Sequence, residues 1–238
     1  MYNLLKDTPG AIVDVGANVG FVVNLGLALK RRVYAIEPIQ YNVAKICETF
    51  RSSHFDLQRE NHLLELYKVV AGRAFKEDRA VTRPADKVGY FEQSSLSRIN
   101  VQQIEVEEEH VPMVDVDSIL LYQNEDECEV AREPIAMIKI DVQGHEYGVL
   151  AGMHRTLSKA KEVGFPKYIL YEADQTMLSN SGHSPQTTME LVQSYGYSCM
   201  YASRHGKEIL CVLGEPPFPD AEGEEQDPMV KIFGPEIK

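Results

Sequence analysis

The sequence has no tryptophan, and its four cysteines, Cys47, Cys128, Cys199 and Cys211, form no C-x-x-C pair. Their spacing excludes a zinc-finger site and a thioredoxin-like redox motif. Free thiols in a reducing compartment are the simplest expectation, and with them a cytoplasmic location. Positive charge is also scarce. Lys and Arg number 24 against 36 Asp and Glu, giving a net charge of −12. Binding to nucleic acid or to anionic lipid needs basic patches, so neither partner is expected. No run reaches the roughly 18 apolar residues of a membrane span. The opening MYNLLKDTPG lacks an apolar h-region, so no signal peptide is expected there. The first strand follows almost at once, as it would in a domain of a longer chain. Internal repeats and low-complexity segments are missing too.

The 238 residues that are present are 44% hydrophobic, an ordinary globular composition with enough chain for a sizeable core. Residues 1–214 read as one domain. From Glu215 onward seven Asp or Glu face two Lys, and five prolines interrupt the chain. Residues 215–238 therefore read as a solvated acidic extension.

Apolar patterning supplies the order of elements. AIVDV (11–15) and VYAIE (33–37) are short apolar runs bounded by turn residues, as buried strands are. A helix is predicted over 19–30 and another over 39–50. LYKVVAG (66–72) is a third strand. Residues 73–115 alternate in the manner of antiparallel strands and loops, and 115–122 reads as a short helix before a polar loop. IAMIKIDV (135–142) is a fourth buried strand. A helix is predicted from Glu146 to about Lys161, with Tyr147, Leu150, Met153 and Leu157 on one face. KYILYEA (167–173) is a fifth strand. TTMELVQSYGY holds a helix closing at Gly196. YSCMYAS and EILCVLG read as a terminal hairpin. Alternating strands and helices predict an α/β, doubly wound, mostly parallel sheet with an antiparallel terminal hairpin.

Chemistry gathers at two strand ends. The first strand runs into DVGANVGF, where Gly16 permits a tight turn and Gly20 close helix packing. The free N–H groups of the following helix face any ligand there. Glu37 ends the next strand, seventeen residues after Gly20. An acid at that place accepts ribose hydroxyls. The loop fails the dinucleotide pattern G-x-G-x-x-G, because Asn18 and Phe21 stand where glycines belong. Asp14 would repel a pyrophosphate but attract a cationic ligand. S-adenosylmethionine, with an ammonium, a sulfonium and no phosphate, fits that charge better than NAD.

The segments DVGANVGF, AIEP, SSL, VPMVDVDSIL, IKIDVQGHEYGVLAGM and YILYEAD, in that order, resemble the FkbM-type family of S-adenosylmethionine-dependent methyltransferases. The resemblance runs from about Ala11 to about Leu213. It implies the class I methyltransferase (Rossmann-like) fold with a seven-stranded sheet, and methyl transfer to oxygen on a small molecule or glycan. It further implies that Asp14, Gly16, Ala17, Asn18, Gly20 and Phe21 hold the methionine part of the cofactor. Glu37 would hold the ribose, with Pro38 beside it. Asp141 and Glu146 match the acids of the family's D-x-E-G-x-E segment, and Gln143 replaces its middle Glu. Ser94, Ser95 and Leu96 match a recurrent segment whose role is not legible.

Alignment of nucleophile, methyl and sulfur is the main task of such an enzyme, and a base helps an alcohol acceptor lose its proton. Asp141, His145 and Glu146 are the catalytic candidates, with Asp141 also facing the cofactor. Glu172 and Asp174 end the fifth strand on the same rim. Asp141 with Glu172 or Asp174 could alternatively hold a divalent metal such as magnesium. Lys139, inside a buried strand, needs a carboxylate partner. The acceptor would be gripped by residues 73–130 and by the 175–185 loop. A non-catalytic relative that binds a nucleoside or a protein partner is the competing reading. Oligomeric state is not legible.

Overall fold

A computed structural model of the chain describes residues 1–52, 61–73, 76–84, 106–123, 129–202 and 207–214. The segment Ser94–Leu96 and the acidic extension 215–238 lie outside them. The first half contains α1 (Tyr2–Leu5), β1 (Ala11–Val15), α2 (Phe21–Ala28), β2 (Val33–Ile36), α3 (Gln40–Ser52), β3 (Leu64–Tyr67), β4 (Val70–Ala71), β5 (Lys76–Pro84) and β6 (Val106–Val114). Next come α4 (Asp117–Leu120), β7 (Leu121–Gln123), β8 (Glu129–Ala131), β9 (Ile135–Ile140), α5 (Glu146–Ala151), α6 (His154–Ser158) and α7 (Ala160–Val163). The last elements are β10 (Tyr168–Glu172), α8 (Gln175–Asn180), α9 (Pro185–Ser194), β11 (Tyr197–Tyr201) and β12 (Glu208–Leu213).

Apolar strand sequences make the centre. β1 and β2 are buried along their whole length, which requires cover on both faces of the sheet. Seven strands lie in the order β11-β12-β10-β9-β1-β2-β3. The pairs β3–β2, β2–β1, β1–β9 and β9–β10 are parallel, and β12 runs antiparallel to both neighbours. Leu4, Leu5 and Val22 pack on Ile12, Met137 and Leu170 of one face. Val149, Leu150, Leu157 and Val192 pack on Val13, Ile138 and Ile140 of the other. Burying each such side chain contributes about 1.5–3 kcal/mol. The expected α/β doubly wound sheet is therefore present, with its reversal of strand order between β1 and β9.

Local departures have local causes. The predicted third strand splits after Tyr67. Its first part stays in the main sheet, while Val70 and Ala71 pair with Met113 and Val114 in a second sheet, β4-β6-β5. The predicted helix over 115–122 stops at Leu120, and Leu121–Gln123 pairs with Glu129–Ala131 across the polar loop. The 175–185 segment, expected as an acceptor loop, is largely helical. Asp174 caps α8 by accepting from Thr176 N and Met177 N, and Ser184 caps α9 by accepting from Thr187 N.

The predicted helix 146–161 is three pieces. Its apolar stripe is correct, since Leu150, Met153 and Leu157 are wholly buried. It breaks at Gly152, whose backbone presses on Gly72; a Cβ there would lie 1.9 Å from the Gly72 carbonyl oxygen. A new helix start exposes N–H groups that need acceptors. The buried Asp117 carboxylate supplies them, accepting from Arg155 N at 2.7 Å and Thr156 N at 2.9 Å. Gly152→Ala is expected to destabilise the fold by about 3 kcal/mol, the upper end for overpacking. Urea denaturation would show a lower midpoint with an unchanged slope; an unchanged midpoint would contradict the contact.

One cysteine expectation is corrected. Cys199 and Cys211 stand opposite each other in the β11–β12 register, Cα atoms 4.0 Å apart, and are joined as a disulfide. Strand register brought them together, which eleven intervening residues of sequence did not reveal. Cys47 is free, as expected.

Candidate active site

Two loops meet where the strand order reverses, the usual place for a ligand in an open α/β sheet. The chain after β1 turns at Gly16, whose φ is 79°. A Cβ on Gly16 would lie 1.9 Å from the Asp141 carbonyl oxygen, so only glycine lets the β1 and β9 loops touch. Gly16 N and Ala17 N donate to Ile36 O. Asn18 follows at φ 52°, and Gly20 at φ 92° opens α2. Phe21, the next residue, is 79% exposed. Two clefts adjoin this loop. One is lined by Gly16, Glu37, Pro38, Asn42, Val70 and His145. The other is lined by Asp14, Ala17, Phe21, Lys139, Glu172 and Glu208. Asn18 and Asp141 line both.

Asp14 is an acid inside β1, a strand buried along its whole length. It is 1% exposed, and neither carboxylate oxygen has a hydrogen-bond partner. Lys139 Nζ stands 3.8 Å from Oδ1. Burial pushes the Asp14 carboxyl up to about 6; Lys139 opposes this and Asp141 adds to it. Such an orphaned, buried carboxylate is costly unless something cationic completes it.

Glu37 is nearly as buried and well partnered. Its Oε1 accepts from Ile39 N at 2.9 Å and Asn42 Nδ2 at 3.1 Å, and its Oε2 from Asn18 N at 2.9 Å. Burial still raises it to about 7, against those bonds. A carboxylate offers about four acceptor sites, so three donors leave room for another. Sequence reasoning missed Asn42. Its signal was a polar residue in the first turn of α3 that proves to be 2% exposed.

The end of β9 holds the other candidates. Lys139 has the carboxylate partner it was expected to need, donating to Asp141 Oδ2 at 3.2 Å. Gln143 Nε2 donates to Asp141 Oδ1 and to Glu172 Oε2, each at 2.8 Å. Burial works to raise Asp141, but the Lys139 charge and these bonds hold it below the usual carboxylate range. Glu146 faces elsewhere. Its Oε1 accepts from Val142 N and Gly144 N, both at 3.1 Å, so it shapes the loop. Burial raises it to about 7. Gly144 turns the loop at φ 97°, with the Met177 carbonyl too close for any Cβ. His145 lines the Glu37 side, and its ring lies against Gly148, where a Cβ would be 2.5 Å from Cε1.

Each oxygen of Asp141 already accepts from a protein donor, the Lys139 ammonium on one and the Gln143 amide on the other. Asp174 is turned away to cap α8 and pair with Lys207 at 3.0 Å. Among the described residues no group of three His, Cys, Asp or Glu could hold a metal ion. No helix among them is long and apolar enough to cross a membrane.

Strand order 3-2-1-4-5-7-6 for the seven-stranded sheet (β3-β2-β1-β9-β10-β12-β11), with a glycine loop after its first strand, defines a class I methyltransferase fold. The chain belongs to the FkbM methyltransferase family: the family's methyltransferase FkbM domain matches residues 14–199. Among solved structures it is similar to methyltransferase FkbM from Methylobacillus flagellatus KT, at 16% identity and a TM-score of 0.48, over 85% of this chain and 43% of that one. The chain thus spans less than half the length of that structure. It is similar to an rRNA methylase from Streptococcus thermophilus, at 13% identity and TM-score 0.46, over 90% and 94% of the two chains. A precorrin-6y C5,15-methyltransferase from Geobacter metallireducens GS-15 follows at 12% identity and TM-score 0.40, over 90% and 85%. No curated protein matches the sequence.

A carboxyl whose folded pKa lies above its unfolded value keeps a proton that the unfolded chain has released. Stability then falls as pH rises through that interval. Asp14, raised from 3.8 to about 6, should cost up to about 3 kcal/mol once ionised. Without ligand, Asp14→Asn is expected to flatten the decline of thermal stability between about pH 4 and 7. A slope equal to that of the wild type would contradict the assignment.

Proposed function

We propose that the chain transfers a methyl group from S-adenosylmethionine to a hydroxyl of a small molecule or glycan. Membership of a methyltransferase family supports the cofactor. One structural observation carries the reading: the buried Asp14 carboxylate beside the glycine loop, with no hydrogen bond to either oxygen, in a cleft shared with Lys139 and Asp141. The methionine end of the cofactor carries an ammonium and a carboxylate. Asp14 is suited to the first and Lys139 to the second. Gly16, Ala17, Asn18 and Gly20 form the close backbone approach, and Phe21 is the exposed apolar wall at its rim.

Glu37, with one acceptor site to spare, is suited to a ribose hydroxyl, and Pro38 holds the chain that follows it. The cofactor supplies a methyl carbon already activated by a sulfonium. The protein's task is orientation and proton removal. Asp141 lines both clefts and so lies between the nucleoside and methionine sides. His145, on the Glu37 side, walls the nucleoside cleft. Glu146 keeps the 142–144 loop in shape. Those roles put the chemistry nearer Asp141 than its two sequence neighbours. Its net charge of −12 disfavours a nucleic-acid acceptor.

Calorimetry tests this. Micromolar binding of S-adenosylhomocysteine with no binding of NAD is expected. Glu37→Ala should weaken it at least about tenfold, the loss of a hydrogen bond to a charged group. Asp141→Ala should leave affinity within a few-fold and reduce label transfer from methyl-labelled cofactor. Failure of the wild type to bind S-adenosylhomocysteine would sink the reading.

A further inference from the structure

The methionine-side cleft contains a carboxylate that the glycine loop and the helix starts leave unused. Glu172 ends β10 and lines the cleft together with Asp14, Asn18 and Asp141. Gln143 reaches it from the neighbouring loop. One amide nitrogen carries two N–H donors, and here each goes to a different acid, Glu172 Oε2 and Asp141 Oδ1, at 2.8 Å. The Gln143 backbone is held at φ 54°, a left-handed conformation that non-glycine residues seldom adopt. That conformation aims the side chain between the two acids.

The bridge separates the acids electrically. Asp141 has the Lys139 ammonium at 3.2 Å and stays ionised. Glu172 is pushed up to about 8, first by burial and then by the charge of Asp141. Lys139 and Asp141 face it from β9 and its loop, Glu146 from α5, and Asp174 from the end of its own strand. Glu208 stands opposite Glu172 in the β12 register. Asp14 lines the same cleft, and the Met1 amino group there faces Glu208; the carboxylates still outnumber the cations, and Lys207 is engaged by Asp174. A general base works best with a proton affinity near the operating pH.

We propose, resting on the methyl-transfer reading, that Glu172 is the catalytic base that takes the acceptor's proton and that Gln143 is its positioning residue. As the acceptor oxygen bonds to the methyl carbon, its O–H bond breaks and the proton passes to a Glu172 oxygen. The electron pair of the broken carbon–sulfur bond stays on sulfur, leaving a neutral thioether. Glu172 must therefore be a carboxylate when the acceptor reacts. A positive charge bound in its cleft favours that form, so Glu172 gives up its proton on cofactor binding near pH 8.

Calorimetry of S-adenosylmethionine binding at pH 8, in buffers of different ionisation enthalpy, counts the protons released. The wild type is expected to release about half a proton more than Glu172→Gln, a difference in which proton uptake by the cofactor's own amine cancels. The variant should bind S-adenosylhomocysteine within about threefold of the wild type. Gln143→Glu puts another carboxylate against Glu172 and should move the pH of maximal release upward by about one unit. Equal net release from wild type and Glu172→Gln would overturn the role of Glu172 alone. A wild type that does not bind S-adenosylmethionine would overturn the methyl-transfer reading itself. Should Glu172→Gln fail to fold, an unshifted Gln143→Glu profile would overturn the proposal.

Discussion

Everything at the strand ends depends on one backbone contact. Gly16 and Asp141 touch at a distance that no side chain on Gly16 could tolerate. Asp141 N donates to Val15 O at 2.9 Å, and Gly16 N donates to Ile36 O. Three adjacent strands thus end in loops tied to one another. The β1–β9 register sets Asp14 beside Lys139, and the loop contact beyond it leaves Asn18 lining the same two clefts as Asp141. Any residue larger than glycine at 16 would part the loops and undo the cleft.

The second constraint is charge held under burial. Asp14, Glu37 and Glu146 are each almost inaccessible, and burial raises all three. Each is resolved differently. Glu37 gathers three protein donors, Glu146 braces the loop backbone with one oxygen and leaves the other without a hydrogen bond, and Asp14 has no hydrogen bond to either oxygen, only the Lys139 ammonium at 3.8 Å. A buried acid with its hydrogen bonds met is explained by the fold. One without them points to a ligand, which is why Asp14 carries the functional reading.

The sheet was legible because buried parallel strands write themselves as continuous apolar runs. AIVDV, VYAIE and IAMIKIDV could be placed from that alone, and the acids at their ends followed from residue type. Contacts between distant backbones were not legible. Nothing in GVLAGM announces that Gly152 will meet Gly72 and end a helix, or that Asp117 will start the next one. The Cys199–Cys211 pairing depends on a strand register that spacing does not encode. Glu146 stood in the right motif, yet its direction is set by the free N–H groups of Val142 and Gly144. Gln143 read as a loss of charge from a family pattern. In the fold it is the amide that joins two acids.

A crystal structure of the protein with S-adenosylhomocysteine tests the central claim most directly. The account predicts the amino-acid ammonium within hydrogen-bond reach of Asp14 and a ribose hydroxyl on Glu37. A ligand bound elsewhere, with Asp14 still unpartnered, would contradict it.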